Sequence, residues 1–214
     1  MITPLLLPRP DLAIDWGPLS SWVAAGATLL AVAVALLGWR LGDFLRQPRL
    51  KITFEHAAPF CRETALTNGR QAYWVRVRVE NTGVNPARAC VGKLSKVYTN
   101  GRLRDDIDPL QLRWCGVPDH RGFEPIHLAS GQHEFLNVFR IVQGERQMRI
   151  ETDPHLAPGF PTALETNDEH CVEISVVADN ADPKTATLTV TYNGDFDALP
   201  NSLTATLGNR MRRS

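Results

Sequence analysis

The run YWVRVRVE, from Tyr73 to Glu80, decides the fold of this 214-residue chain. Apolar and mostly polar side chains alternate along it, and the apolar row consists of Tyr73, Val75, Val77 and Val79. Successive side chains of a β-strand point to opposite faces of the sheet. The period of two therefore predicts a half-buried strand with this row turned toward a core.

The opposite row of the same strand begins with Trp74, Arg76 and Arg78. Tryptophan and arginine are enriched among the residues that dominate binding at protein interfaces. We therefore predict that this row forms a partner surface. The alternative is that a loop or the C-terminal tail covers Trp74 and leaves an arginine stacked on its ring.

Shorter runs on both sides repeat the pattern, and about eight short strands alternate with turn signals such as Asn100-Gly101. No helical period separates them, which disfavours a parallel arrangement because parallel strands need crossover connections. The pattern predicts an all-β fold, an antiparallel β-sandwich over residues 50–194 with a C-terminal tail over 195–214. The predicted core residues are Ile52, Phe54, Tyr73, Val75, Val77, Val79, Leu112, Ile174, Val176, Leu188 and Val190.

The turn after the central strand carries a family signature. The segment Val77 to Gly83, followed by Ala87, resembles the V-x-V-x-N-x-G-x-x-x-A pattern of bacterial immunoglobulin-like modules of the CARDB type. The N-terminal part is similar to a widespread group of bacterial single-pass membrane proteins, without assigned activity, that join one helix to such a sandwich. That similarity rests on Trp22, Gly26, Thr28, Leu29, Ala31, Ala35, Leu36, Pro48, Arg49 and Leu50. The resemblance implies an immunoglobulin-like fold for most of the chain and transfers no catalytic residue.

A long apolar segment, SSWVAAGATLLAVAVALLGWRL, precedes the strands from Ser20 to Leu41. No charge occurs between Trp16 and Trp39, a run longer than the roughly 20 residues that cross a bilayer core. We therefore predict a transmembrane helix at 20–41, after an extended N-terminal tail at 1–19 and before a short linker at 42–49. The alternative is a cleaved signal peptide, but its apolar core would span only about 7–15 residues.

Within this segment, Ala27, Ala31 and Ala35 recur every four residues. A helix would align them on one stripe, and small residues let two helices approach closely in a membrane. The stripe predicts a helix-association face and, through it, a homo-oligomer. The alternative is a generic alanine-rich span.

The charges that flank the apolar segment predict its orientation. Of the lysines and arginines, Arg9 alone precedes the uncharged run, whereas Arg40, Arg46, Arg49 and Lys51 follow it closely. Because short flanks rich in lysine and arginine stay in the cytoplasm, we predict an inner-membrane protein with its N terminus outside and its β-domain cytoplasmic. The four cysteines form no C-x-x-C pair and would then be reduced. The alternative is an extracytoplasmic envelope or ligand-binding module with disulfides.

Composition and motifs argue against several function classes. Lysine plus arginine and aspartate plus glutamate each number 23, so the formal net charge is zero, which disfavours a nucleic-acid partner. No G-x-S-x-G, P-loop or H-E-x-x-H motif occurs, so we predict neither an enzyme nor a cofactor. The histidines near Cys115 and the Asp105–Asp108 cluster lack the spacing of zinc or calcium ligands. The leading hypothesis is a membrane-anchored, non-enzymatic binding or scaffold module that contacts both the lipid bilayer and a protein partner.

Overall fold

The structure, a computed structural model, describes the chain in four ranges: residues 18–107, 109–118, 121–153 and 162–208. The chain divides into two compact units, Met1–Leu45 and Arg46–Ser214. Most of the predicted N-terminal tail, residues 1–17, lies outside the described residues.

The described helix, α1, comprises Leu19–Arg46. It ends two residues before Pro48, since the residue that precedes a proline is disfavoured in the α conformation. The helix thus continues beyond residue 41 and includes most of the linker predicted at 42–49. Among the described residues, no helix is long and apolar enough to cross a membrane. The transmembrane part of the predicted fold is therefore not shown; the side chains of α1 described without a break are those of residues 21–34, about 21 Å of helix.

The second unit is built from β-strands. The described strands, in chain order, are β1 (Leu50–Thr53), β2 (Cys61–Ala65), β3 (Gln71–Asn81), β4 (Ala87–Thr99), β5 (Arg102–Leu103), β6 (Leu110–Gln111), β7 (Arg113–Trp114), β8 (Ile126–Leu128), β9 (His133–Val142), β10 (Met148–Ile150), β11 (Ala163–Leu164), β12 (Glu169–Ala178), β13 (Ala181–Tyr192) and β14 (Leu203–Gly208).

Within the described residues, these strands form two antiparallel sheets. Sheet 1 has the order β1-β3-β9-β10-β11, with β2 also paired to β3 and β7 also paired to β9. Sheet 2 has the order β14-β13-β12-β4-β5, with β6 and β8 also paired to β4. The long strands β3 and β9 therefore form the centre of sheet 1.

One hydrophobic cluster joins the two sheets. Val77 and Leu136 of sheet 1 and Ile174 and Leu188 of sheet 2 are fully buried in it. The predicted inward row of β3 is confirmed, because its four residues are at most 6% exposed. Of the predicted core residues, Phe54 alone is only partly buried, and it packs against the cluster. These contacts confirm the β-sandwich part of the predicted fold.

The C-terminal part of the sandwich extends beyond residue 194, where the sequence predicts its end. Strand β14 pairs with β13, with Ala205 opposite Val190 and Leu203 opposite Tyr192. Both residues of β14 are buried, so part of the segment predicted as a tail at 195–214 completes sheet 2. Residues 209–214 lie outside the described residues.

The turn after β3 is held together by Asn81, which is fully buried. Its Oδ1 accepts hydrogen bonds from the backbone N–H of Arg49 (3.1 Å) and of Gly83 (3.0 Å). Its Nδ2 donates to the carbonyls of Asn85 (2.8 Å) and Leu128 (3.0 Å). The amide therefore uses both its donors and both acceptor positions, and it links three separate segments of the sandwich.

Gly83 fits this turn for a steric reason. A Cβ at this position would lie 2.4 Å from the carbonyl oxygen of Gln47 and 2.5 Å from the backbone nitrogen of Arg49. Such contacts are with backbone, which cannot swing away as a flexible side chain can. The Asn-x-Gly sequence of this turn therefore combines a buried asparagine with a close backbone approach to residues 47–49.

Candidate functional site

A cleft of about 460 Å³ opens on the outer face of sheet 1. We call it the arginine–tryptophan cleft and define it by Trp74, Arg76, Arg113, Trp114, Asn137 and Arg140. Strands β3, β7 and β9 supply these six residues, and the turn after β2 supplies part of the rim. The cleft is thus built on the rigid centre of the sheet.

Strand register brings the polar residues of the cleft together. Asn137 of β9 lies opposite Arg76 of β3 on one side and opposite Arg113 of β7 on the other. In the next row, Arg140 lies opposite Trp74. Because directly opposed residues of antiparallel strands project from the same face, sheet pairing alone places these side chains next to one another.

A bulge in β9 makes this arrangement possible. The register shifts between Val75, which lies opposite Phe139, and Arg76, which lies opposite Asn137. Val138 is the extra residue, and both it and Phe139 are fully buried. In a regular strand, two residues three positions apart point to opposite faces. The bulge therefore allows Asn137 and Arg140 to share the outer face.

Trp74 lies on the outer face but is only 8% exposed. Its ring packs with Ala72, Val142 and Leu66, and its Nε1 donates a hydrogen bond to Oγ1 of Thr64 at 2.7 Å. The structure thus matches the alternative in which a loop covers this tryptophan. The cleft therefore presents arginine side chains that pack against the indole of Trp74, and the indole itself is not exposed as a free aromatic surface.

Two arginines stack near that indole. The guanidinium carbons of Arg76 and Arg140 lie 5.9 Å and 5.6 Å from the Trp74 ring centroid, within the range of a cation–π interaction. Such stacking restrains a side chain that otherwise has many rotamers. Less conformational entropy is therefore lost when a ligand binds to these guanidinium groups.

The described residues that line the cleft include three arginines and no aspartate or glutamate. Glu151, which is 7% exposed, pairs with Nη1 of Arg113 at 3.8 Å and with Nε of Arg140 at 3.6 Å. Within the described part of the chain, Arg76 forms no ion pair. Glu151 thus serves two of the three arginines, and an anionic ligand beside Arg76 would reduce the repulsion between the guanidinium groups.

Several buried polar atoms of the cleft residues have no hydrogen-bond partner among the described residues. On the outer face they include Oδ1 of Asn137, Nε of Arg76 and Nε of Arg140, whereas Nε1 of Trp114 belongs to a side chain in the core. Asn137 is 5% exposed and Trp114 is 1% exposed, so neither side chain is well solvated. A buried polar group without a partner costs about 1–3 kcal/mol, a cost that a ligand with matching groups would remove.

The predicted partner surface is therefore divided by the structure. Trp74 and Arg76 belong to the cleft, whereas Arg78 does not line it. Arg78 instead pairs with Glu80 at 3.5 Å and donates from Nε to Oγ1 of Thr53 at 3.3 Å. It belongs to a separate polar group farther along β3.

Sequence reasoning missed Arg113, Asn137 and Arg140. The outward position of Arg113 could have been predicted, because it lies between Leu112 and Trp114, whose alternation predicts an inward row. The shared face of Asn137 and Arg140 could not, since a bulge in β9 interrupts the alternation between them. The helix-association face predicted at Ala27, Ala31 and Ala35 stays a prediction. Ala27 and Ala31 are exposed on α1, and the side chain of Ala35 lies outside the described residues.

The four cysteines are free thiols, and they differ in accessibility. Burial raises the pKa of Cys61 and of Cys90 to about 11, and it also raises the pKa of Cys171. These three thiols stay protonated, and hence unreactive, at neutral pH. Cys115 is only half-buried and lies at the edge of the cleft, which makes it the natural chemical reporter.

The acidic turn before β6 is engaged in an ion pair. Arg104 donates from Nε to Asp106 at 2.7 Å, and this hydrogen bond lowers the pKa of the aspartate. Asp108 and His120 lie outside the described residues. Among the residues that are described, no three His, Cys, Asp or Glu side chains are grouped as metal ligands would be.

Comparison with known proteins gives no relative for this chain: no protein-family model, curated protein or solved structure matches it.

Proposed function

We propose that the protein is a membrane-anchored, non-enzymatic binding module whose immunoglobulin-like β-sandwich contacts a protein partner through the arginine–tryptophan cleft. The observation that carries this proposal is Arg76 held against Trp74 beside the unpartnered, buried Oδ1 of Asn137. Arginine and tryptophan are frequent hot-spot residues. A guanidinium group also keeps its proton in proteins, so its chemistry suits recognition better than acid–base catalysis.

The proposed anchor is supported by the sequence and the bounds of α1. The run from Trp16 to Trp39 carries no charge, and the 28 residues of α1 correspond to about 42 Å of helix, against a bilayer core of about 30 Å. The four cationic residues that follow favour a cytoplasmic sandwich at the inner membrane. Close approach of two helices through Ala27, Ala31 and Ala35 would pair the anchors.

The immunoglobulin-like assignment is supported by the signature turn and the sheet arrangement. Asn81 and Gly83 serve a structural purpose that fits a family signature, and two antiparallel sheets enclose one core. Sandwiches of this class present binding surfaces on many unrelated proteins. The particular role must therefore come from the cleft.

Photo-crosslinking in cells tests the proposal. We expect a photoreactive phenylalanine analogue at Thr67, an exposed residue of the cleft rim, to yield one discrete crosslinked protein. The same analogue at Val84, which is 66% exposed and outside the cleft, should yield none. Adding Arg76→Gln to the Thr67 derivative should reduce the adduct. Equal adducts at both positions, or none at Thr67, would refute a protein partner at the cleft.

The proposed topology is tested with Cys115, the half-buried thiol. In intact spheroplasts, we expect a membrane-impermeant maleimide to leave Cys115 unmodified, and after lysis we expect rapid modification, measured by peptide mass mapping. The protein should also remain in the membrane pellet after carbonate extraction. The Cys115→Ser variant controls for labelling at the buried thiols. Modification before lysis would instead favour the extracytoplasmic envelope or ligand-binding module.

A further inference from the structure

We infer that the ligand of the arginine–tryptophan cleft is an acidic peptide segment, with a side-chain carboxylate against Arg76 and a backbone N–H against Oδ1 of Asn137. The inference rests on the proposed binding function and specifies the chemistry of the partner. It follows from two independent properties of the cleft, its charge and its unpartnered polar atoms.

The charge points to a carboxylate or another anion. Arg113 and Arg140 already share Glu151, whereas Arg76 has no ion pair within the described residues. A guanidinium group stacked on an aromatic face still has its edge available for hydrogen bonds in its own plane. Arginine–carboxylate hydrogen bonds are charge-assisted and about twice as strong as neutral ones. Arg76 is therefore the residue of the cleft best placed to take a new anion.

The unpartnered atoms distinguish a peptide from a simple anion. Oδ1 of Asn137, which lies opposite Arg76 on the outer face, requires a donor. Each peptide unit supplies one N–H, so a backbone segment can satisfy this atom while one of its side-chain carboxylates binds Arg76. A phosphate diester carries acceptor oxygens alone, and it would leave the asparagine oxygen without a partner.

The shape of the cleft is consistent with a short extended segment. Its volume of about 460 Å³ falls within the range of ligand sites, roughly 300–1,000 Å³. Its floor lies on β3, β7 and β9, and its rim includes the turn at Leu66. A few residues of a partner chain fit such a site, so the acidic motif need not be long.

Binding of defined peptides to the full chain in neutral detergent tests the inference. The probes are a capped Asp/Glu hexapeptide and its Asn/Gln counterpart, with affinity measured by calorimetry and by tryptophan fluorescence. We expect the acidic peptide to bind at least about 10-fold more tightly. Arg76→Gln should weaken it about 10-fold or more, and the matched variant Arg78→Gln, on the same strand outside the cleft, should change it less than about twofold.

A second variant guards against misfolding of the first. Thr67→Glu lies on the exposed rim, so it leaves the sandwich intact while adding a negative charge, and it should also weaken the acidic peptide. Equal binding of the two peptides, or equal effects of Arg76→Gln and Arg78→Gln, would overturn the inference. Tighter binding of inorganic phosphate or of anionic phospholipid vesicles would overturn it in favour of a phosphate site.

The two proposals fail in different ways. If Thr67 crosslinks one protein in cells but the acidic peptide does not bind, the partner contact stands and the acidic class is wrong. If neither is observed, the cleft is not a protein-binding site at all.

Discussion

The Val77→Asp variant is expected to lose the folded sandwich. Val77 lies in the middle of β3, is fully buried, and belongs to the cluster that joins the two sheets. No basic side chain shares its inward row, which consists of Tyr73, Val75, Val77 and Val79. An uncompensated buried charge costs about 3–5 kcal/mol, a large part of the roughly 5–15 kcal/mol that stabilises a domain.

The measurement is urea unfolding of the full chain in detergent, followed by circular dichroism of the strands. A matched control is Val84→Asp, which makes the same change at a turn residue that is 66% exposed and should shift the midpoint little. Equal tolerance of the two variants would mean that the inward and outward rows of β3 have been exchanged.

The second large effect is expected for Asn81→Ala. This substitution leaves the N–H groups of Arg49 and Gly83 without their acceptor and the carbonyls of Asn85 and Leu128 without their donor. An unsatisfied buried group costs about 1–3 kcal/mol, but Arg49 and Asn85 are exposed, so the cost at their backbone groups is smaller. We therefore expect a loss of about 2–4 kcal/mol in the free energy of unfolding.

Thermal unfolding measures this loss, which corresponds to a decrease of roughly 5–15 °C in Tm for a domain of this size. Asn85→Ala is the control, since Asn85 is exposed and only its backbone carbonyl meets Asn81. An Asn81→Ala variant as stable as Asn85→Ala would show that the signature turn does not hold residues 47–49.

Much of the sandwich can be predicted from local sequence, because the alternation within β3 alone identifies which of its residues face the core. The alternation around Val77 identifies the inward row without knowledge of the neighbouring strands, and burial of that row confirms it. Strand β14 could not be predicted in this way. Its identity depends on pairing with β13, and the segment from 195 to 214 mixes polar and apolar residues without a clear period.

The residues of the cleft can likewise be predicted only in part. Trp74 and Arg76 can be placed on one face from the sequence, because they alternate with core residues. Arg78 obeys the same alternation, yet it pairs with Glu80 and stays outside the cleft. Alternation predicts the face of a sheet and cannot predict which residues of that face share a concave site.

The sequence by itself determined the inward row of β3, the outward position of Trp74 and Arg76, and the asparagine–glycine turn after Asn81. These features depend on a period of two and on residues close together in the chain. Only the tertiary structure decided that Leu66 covers Trp74, that Val138 is an extra residue, and that Asn137 and Arg140 consequently share one face. The physical reason is that register and bulges arise between strands far apart in sequence, where hydrogen-bond pairing and core packing of the whole sheet select one alignment.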